Sequence, residues 1–166
     1  ASTVEKVWRL PNAAEMRYLI YTTLAYGGRG ISYFTYWGPA SYGGLYQDGK
    51  PSPLSKDVAA LNAELAKVGP AMMELDSLAV YHTAPLPYGT EAVPEGSPVK
   101  VGGAGQLVLG IFGRGGRPTA FLLSNRSHQE AAEADAKVAI PGTKVQELDR
   151  RTGAWVDGPP LGPERR

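Results

Sequence analysis

The apolar positions of this chain fall into two regimes, with helical spacing in the first half and short alternating runs in the second. Met16, Leu19, Ile20, Thr23 and Leu24 share one helical face. Asn12 stands three residues before Glu15, the spacing of a capping box, and Gly27-Gly28 closes the run, so the pattern predicts a helix over 12–26. Val58, Leu61, Leu65, Val68, Met72 and Leu75 form a second stripe. It predicts a helix over 55–76, capped by Ser55 and kinked or restarted at Gly69-Pro70, where Pro70 has no N–H to donate. Between the helices, Gly30-Ile31-Ser32-Tyr33-Phe34-Thr35-Tyr36-Trp37 reads as a strand. Ile31, Tyr33, Thr35 and Trp37 would line one face and Ser32, Phe34 and Tyr36 the other. Both faces want cover, which predicts a central strand of a parallel sheet.

The loop 38–53 that follows is rich in Gly, Pro, Ser and Tyr, with turn signals at Asp48-Gly49 and Pro51-Ser52-Pro53. A loop of that length inside a domain is usually functional or disordered, and its tyrosines and Leu45 favour order. A short strand is predicted at 79–83. Residues 84–98, with four prolines and Gly89 and Gly96, read as an interdomain linker. Runs at 106–112, 119–124, 134–140, 144–148 and 154–156 then alternate with glycine- and polar-rich turns, the signature of an antiparallel sheet or sandwich. The expected organisation is a helix–strand–helix segment over 1–83, a linker over 84–98 and an antiparallel β-sandwich over 99–166, an α+β chain.

Composition narrows the chemistry. The 166 residues carry a formal net charge of +1, too small to recruit nucleic acid or an acidic membrane, and no apolar run is long enough to span a bilayer. Without cysteine, disulfides, thiolate metal sites and cysteine nucleophiles are excluded. No signal-peptide pattern opens the chain, so its compartment is left open; the first residue, Ala1, raises the expectation of an upstream part. His82 and His128 lie far apart in sequence and no cluster has metal-ligand spacing, so neither a metal nor a cofactor is expected. Ser127, His128 and Asp135 compose a triad only on paper, because no nucleophile elbow supports it. The glycine run Gly113-x-Gly115-Gly116 joins two strands, which makes it a hairpin turn and not a phosphate cradle.

The runs Arg9-Leu10-Pro11, Glu15-Met16-Arg17, Leu24-Ala25-Tyr26-Gly27, Gly30 through Trp37 and Leu61-Asn62-Ala63-Glu64-Leu65 together resemble the end of the catalytic barrel in bacterial glycoside hydrolases. The likeness is to the β-galactosidase-like enzymes of the retaining (β/α)8 superfamily. In it, helix 12–26 matches the seventh barrel helix, strand 30–37 the eighth strand and helix 55–76 the eighth helix. The runs 106–112, 120–125 and Leu148-Asp149-Arg150-Arg151-Thr152-Gly153 look like the small β-sandwich that follows such barrels.

The resemblance implies an incomplete barrel segment and hydrolysis of β-linked sugars by two carboxyl groups about 5–5.5 Å apart. Those carboxyls would stand at or before the start of this chain. Glu5 is the only acidic residue near the place of the seventh strand's end, and it reads better as a surface carboxylate on the lead-in than as a catalytic group. The isolated chain is therefore expected to be inactive. Trp37, at the strand end that faces the active site in barrels, is the candidate sugar platform, with Tyr36, Tyr42, Tyr46 and Asp48 beside it. Carbohydrate and the upstream barrel portion are the implied partners. The rival reading is a non-catalytic sandwich module that binds or supports and that self-associates through an exposed strand 30–37.

Overall fold

The computed structural model describes residues 10–38, 43–139 and 144–158. Helix α1 (Ala13–Ala25) starts at Asn12, whose side chain accepts the Glu15 N–H at 3.0 Å while the Glu15 carboxylate accepts the Asn12 N–H at 2.9 Å. The capping box read from the sequence is thus formed. The second helix, α2 (Pro53–Met73), begins two residues earlier than its apolar stripe implies. Its cap is Ser52, not Ser55, because Pro53 at the first helical position has its φ already fixed for the helix and lacks only a donor that would go unused. Ser55 instead donates its hydroxyl to the Ser52 carbonyl at 2.7 Å. The helix also runs through Pro70 without restarting. Gly69 precedes that proline and has no Cβ for the pyrrolidine ring to strike.

The two helices share a core of Met16, Ile20 and Leu24 from α1 with Leu54, Val58 and Leu61 from α2. Ile31, Tyr33 and Leu45 pack against it from the segment between the helices. That segment departs from expectation. Residues 30–36 form no ladder, and only β1 (Trp37–Gly38) is strand. β1 pairs in parallel with β2 (Tyr46–Gln47), which turns back antiparallel onto β3 (Lys50–Pro51). The central strand of a parallel sheet is therefore not formed. Over 31–36 the faces are divided as the alternation requires, with Ile31, Tyr33 and Thr35 half-buried and Ser32, Phe34 and Tyr36 exposed, but Trp37, expected on the covered face, is exposed as well. One face found cover on the helices, and the backbone of 30–34 has no neighbouring strand among the described residues to exchange hydrogen bonds with.

The second half is built on a three-stranded antiparallel sheet in the order β4 (Asp76–His82), β6 (Leu107–Arg114), β7 (Arg117–Asn125). β6 is central and buried along its whole length apart from Arg114. The β6–β7 connection is the two-residue turn Gly115-Gly116, with φ of 57° and 76°, flanked by the pair Arg114–Arg117. Positive φ at both positions is what a type I′ hairpin needs, so the hairpin reading of the glycine run holds. β5 (Val99–Gly102), which the sequence pattern did not reveal, pairs with β8 (Asp135–Val138). This pair brings Val99, Val101 and Ala136 onto Leu109, Ile111 and Phe121 in a second core. β9 (Gln146–Leu148) and β10 (Trp155–Asp157) form a separate hairpin.

Helix α1 sits on the sheet at Gly110, where a Cβ would lie 2.3 Å from the Ala25 carbonyl oxygen. Residues 84–98 are tied to the strands on either side. The Glu91 carbonyl accepts the His82 N–H at 2.8 Å, and the Pro98 carbonyl accepts the Ala139 N–H at 2.8 Å. Arg126 donates to the Pro85 carbonyl at 2.6 Å. β4, before this stretch, and β6, after it, are neighbours in one sheet. The architecture is mixed α+β, with two helices and several small, mainly antiparallel sheets, and the described residues close no barrel.

Candidate carbohydrate platform

The short ladder β1–β2–β3 holds the aromatic side chains in place. Tyr36 lends its carbonyl to the Tyr46 N–H at 2.9 Å, and Thr35 lends its own to the Leu45 N–H at 3.2 Å. Trp37 lies opposite Tyr46 in the parallel register. The Tyr36 and Tyr46 rings meet with centroids 5.2 Å apart and planes tilted by 34°, within the range of favourable aromatic pairing. The close approach needs glycine: a Cβ on Gly38 would stand 2.5 Å from the Gly43 carbonyl oxygen. Trp37 is 61% exposed, Tyr36 66% and Phe34 81%. The segment thus exposes the Trp37 and Tyr36 rings on a hydrogen-bonded support, with Tyr46 against Tyr36.

Of the sequence candidates, the structure brings together Trp37, Tyr36 and Tyr46. Asp48 lies at the tip of the β2–β3 hairpin with φ of 49°, followed by Gly49 at 77°. It is exposed and its backbone forms the turn. Tyr42 and Glu5 lie outside the described residues. Phe34, exposed on the even, uncovered face of the run, was not named among the candidates.

Two further polar groupings were not legible as sites. Glu64 on α2 receives both guanidinium nitrogens of Arg17, at 2.9 and 3.0 Å, together with the Tyr21 hydroxyl, and Arg150 approaches it to 3.5 Å. Burial alone would raise the Glu64 carboxyl, but the hydrogen bonds from Arg17 and Tyr21 and the two guanidinium charges hold it below the usual range. Tyr21, half-buried and bonded to that carboxylate, is pushed up to about 12. The spacing of Arg17 and Tyr21, one turn apart on α1, was the local clue; Glu64 and Arg150 come from distant parts of the chain. His82, 4% exposed on β4, places Nε2 2.6 Å from the Tyr26 hydroxyl, while its Nδ1 is buried with no partner. Burial, and then the charge of Arg126, lower its pKa.

The paper triad does not assemble. Ser127 uses its hydroxyl to accept the N–H groups of Gln129 and Glu130, and His128 faces Glu15 on α1 at 3.6 Å. Among the described residues no group of three or more His, Asp or Glu is placed to hold a metal, and no helix is long and apolar enough to cross a membrane. No family model, curated protein or solved structure matches the chain.

Proposed function

We propose that this chain is carbohydrate-active and forms the C-terminal portion of a retaining glycoside hydrolase acting on β-linked sugars. In this reading 1–83 is the last, incomplete segment of a (β/α)8 barrel and 99–166 its accessory sandwich. The observation that carries it is the exposed pair Trp37 and Tyr36 on the β1–β2 support, with the Tyr46 ring against Tyr36. Large apolar rings left in water are costly unless something covers them, and a pyranose ring offers a flat array of C–H groups that matches an aromatic face. The indole N–H and the tyrosine hydroxyls supply the hydrogen bonds that orient a sugar. The polar residues Gln47, Asp48 and Lys50 follow immediately along the hairpin.

The chain's share of the reaction is then binding and positioning. The acid/base and nucleophile carboxyls of the retaining mechanism belong to other strands of the parent barrel. Tryptophan fluorescence titrated with β-linked gluco- and galacto-oligosaccharides tests the platform. Saturable quenching is expected, and Trp37→Ala should weaken binding roughly tenfold or more. Absence of saturable binding to any β-linked oligosaccharide would remove the platform reading. The same preparation should show no turnover of aryl β-glycosides; turnover that survives Glu5→Gln would contradict the assignment of catalysis to other strands.

A further inference from the structure

His82 is a buried titratable side chain that carbohydrate binding leaves without a part. It ends β4, and its ring meets the end of α1, where Nε2 lies 2.6 Å from the Tyr26 hydroxyl and the ring centroids are 5.8 Å apart. Its Nδ1 is buried with no partner, and so is Nε of Arg126, just beyond β7. The rest of the Arg126 guanidinium meets only neutral oxygens: the carbonyls of Pro85 at 2.6 Å and Thr83 at 3.4 Å, and the Gln106 side chain at 3.2 Å. The groups that act on the imidazole are thus Tyr26 from α1 and Arg126 from the end of β7. β6 places apolar Val108 opposite His82, and Glu91 reaches it only through a backbone carbonyl. Among the described residues no carboxylate is paired with the ring.

The same two residues fasten the stretch that leaves β4. The His82 N–H donates to the Glu91 carbonyl at 2.8 Å, and His82 forms a parallel bridge with Ala92. Arg126 holds the carbonyls of Thr83 and Pro85 at the start of the stretch. Between these attachments residues 84–89 are exposed, with the Leu86 and Tyr88 side chains in solvent. From Val93 onwards the chain is tied down independently. Val93 packs on the second core, Lys100 donates to the Pro94 carbonyl at 3.2 Å, and the Pro98 carbonyl accepts the Ala139 N–H. Residues 84–92 therefore form a strap fastened at His82 and Arg126 and pinned at Val93.

We propose that His82 is a pH-operated latch for this strap: the neutral imidazole keeps 84–92 closed, and its protonation beside Arg126 releases them while β4, β6 and β7 stay paired. A neutral imidazole has one donor and one acceptor nitrogen, whereas an imidazolium has two donors. Once charged, the ring carries an Nδ1–H with no acceptor near a guanidinium whose own Nε–H is unpartnered. Two cations held out of water without a counter-charge are unstable, and moving the ring into solvent relieves both. The bond from the His82 N–H to Glu91 and the grip of Arg126 on Thr83 and Pro85 are what give way. Burial, and then the Arg126 charge, lower the imidazole pKa in the closed strap; in the open strap it returns to about 6.5. The closed form is favoured above that pH and loses ground as pH falls from there towards the closed-state value.

Amide hydrogen exchange resolved by residue, from pH 7.5 to 5 and corrected for the intrinsic rate, tests the latch on the full chain. Protection of the His82 N–H should fall several-fold relative to the β6 amides over that range. His82→Gln is neutral throughout and should keep the amide at position 82 protected at every pH. Arg126→Gln retains a donor for the strap carbonyls and removes the charge. The His82 ring protons should then titrate at higher pH, and the pH dependence of strap protection should shrink. This second variant decides the matter if His82→Gln fails to fold. Loss of protection at His82 in step with the β6 amides overturns the proposal, since the whole sheet would then be opening. So does a loss that persists unchanged in His82→Gln, or a His82 titration that Arg126→Gln leaves where it was.

Discussion

At the scale of single residues, the interactions that matter most are those in which a buried or half-buried polar group depends on a distant partner. Glu64 serves Arg17, Tyr21 and Arg150 at once. Glu64→Gln should lower stability at neutral pH by about 1–2 kcal/mol, because two guanidinium groups lose their counter-charge. The Glu64 carboxyl is depressed in the folded chain, so its contribution is present above the ordinary glutamate pKa and is lost as pH falls through the folded value. The gap between the two chains in urea titrations should therefore close in acid. His82 titrates as a base depressed by burial and Arg126. Tyr26 from the end of α1 meets its Nε2, Arg126 adds its charge from beyond β7, and Glu91 meets its backbone through a carbonyl. The unfolded state takes up the proton first, below pH about 6.5, so stability should fall from there until the folded His82 also protonates. Melting temperature measured from pH 7.5 downward should show this fall, and His82→Gln should flatten it. A slope unchanged by His82→Gln would assign the acid sensitivity to another group.

At the scale of elements, α1 was readable almost to the residue because its signals are local. Asn12 and Glu15 lie within one turn of each other, and the apolar face repeats along the helix. Asn12→Ala should cost about 1 kcal/mol, measured by denaturant unfolding. The start of α2 was misplaced for an equally local reason, since a serine stands on both sides of Pro53 and the proline decides between them. The hairpin turn at Gly115-Gly116 was fixed by chemistry that no other residue pair provides as cheaply. β5 escaped because a four-residue strand beside glycine carries too little pattern to stand out from the loop. Gly110 could not be interpreted from sequence at all. Within an apolar strand it looks like a weak point, and only the packed structure shows α1 lying against it. Gly110→Ala should destabilise the fold by about 1–3 kcal/mol by forcing the helix off the sheet, which thermal denaturation would register.

At the scale of the whole molecule, the unsettled region of the pattern is 30–37, and the structure shows why. Its alternation divided 31–36 correctly, with Ile31 and Tyr33 packed on the helical core and Ser32, Phe34 and Tyr36 exposed, but it placed Trp37 on the covered face, where the structure leaves it exposed. It could not make a strand, because a ladder is a property of two segments, and among the described residues the only one that answers is 45–47, near its end. The exposed strand 30–37 invoked by the rival reading is thus reduced to Trp37–Gly38. The same limit governs the candidate site. Trp37, Tyr36 and Tyr46 were nameable as aromatics near a strand end, but their joint presentation to solvent depends on a pairing across the loop that no single segment encodes. Local rules, which act within a helical turn or across a two-residue hairpin, were set by the sequence itself: the helices, the β6–β7 turn and the split of faces in 31–36. Which strands pair and where Glu64 finds its cations were decided only by the tertiary structure, because each is a contact between residues far apart in the chain.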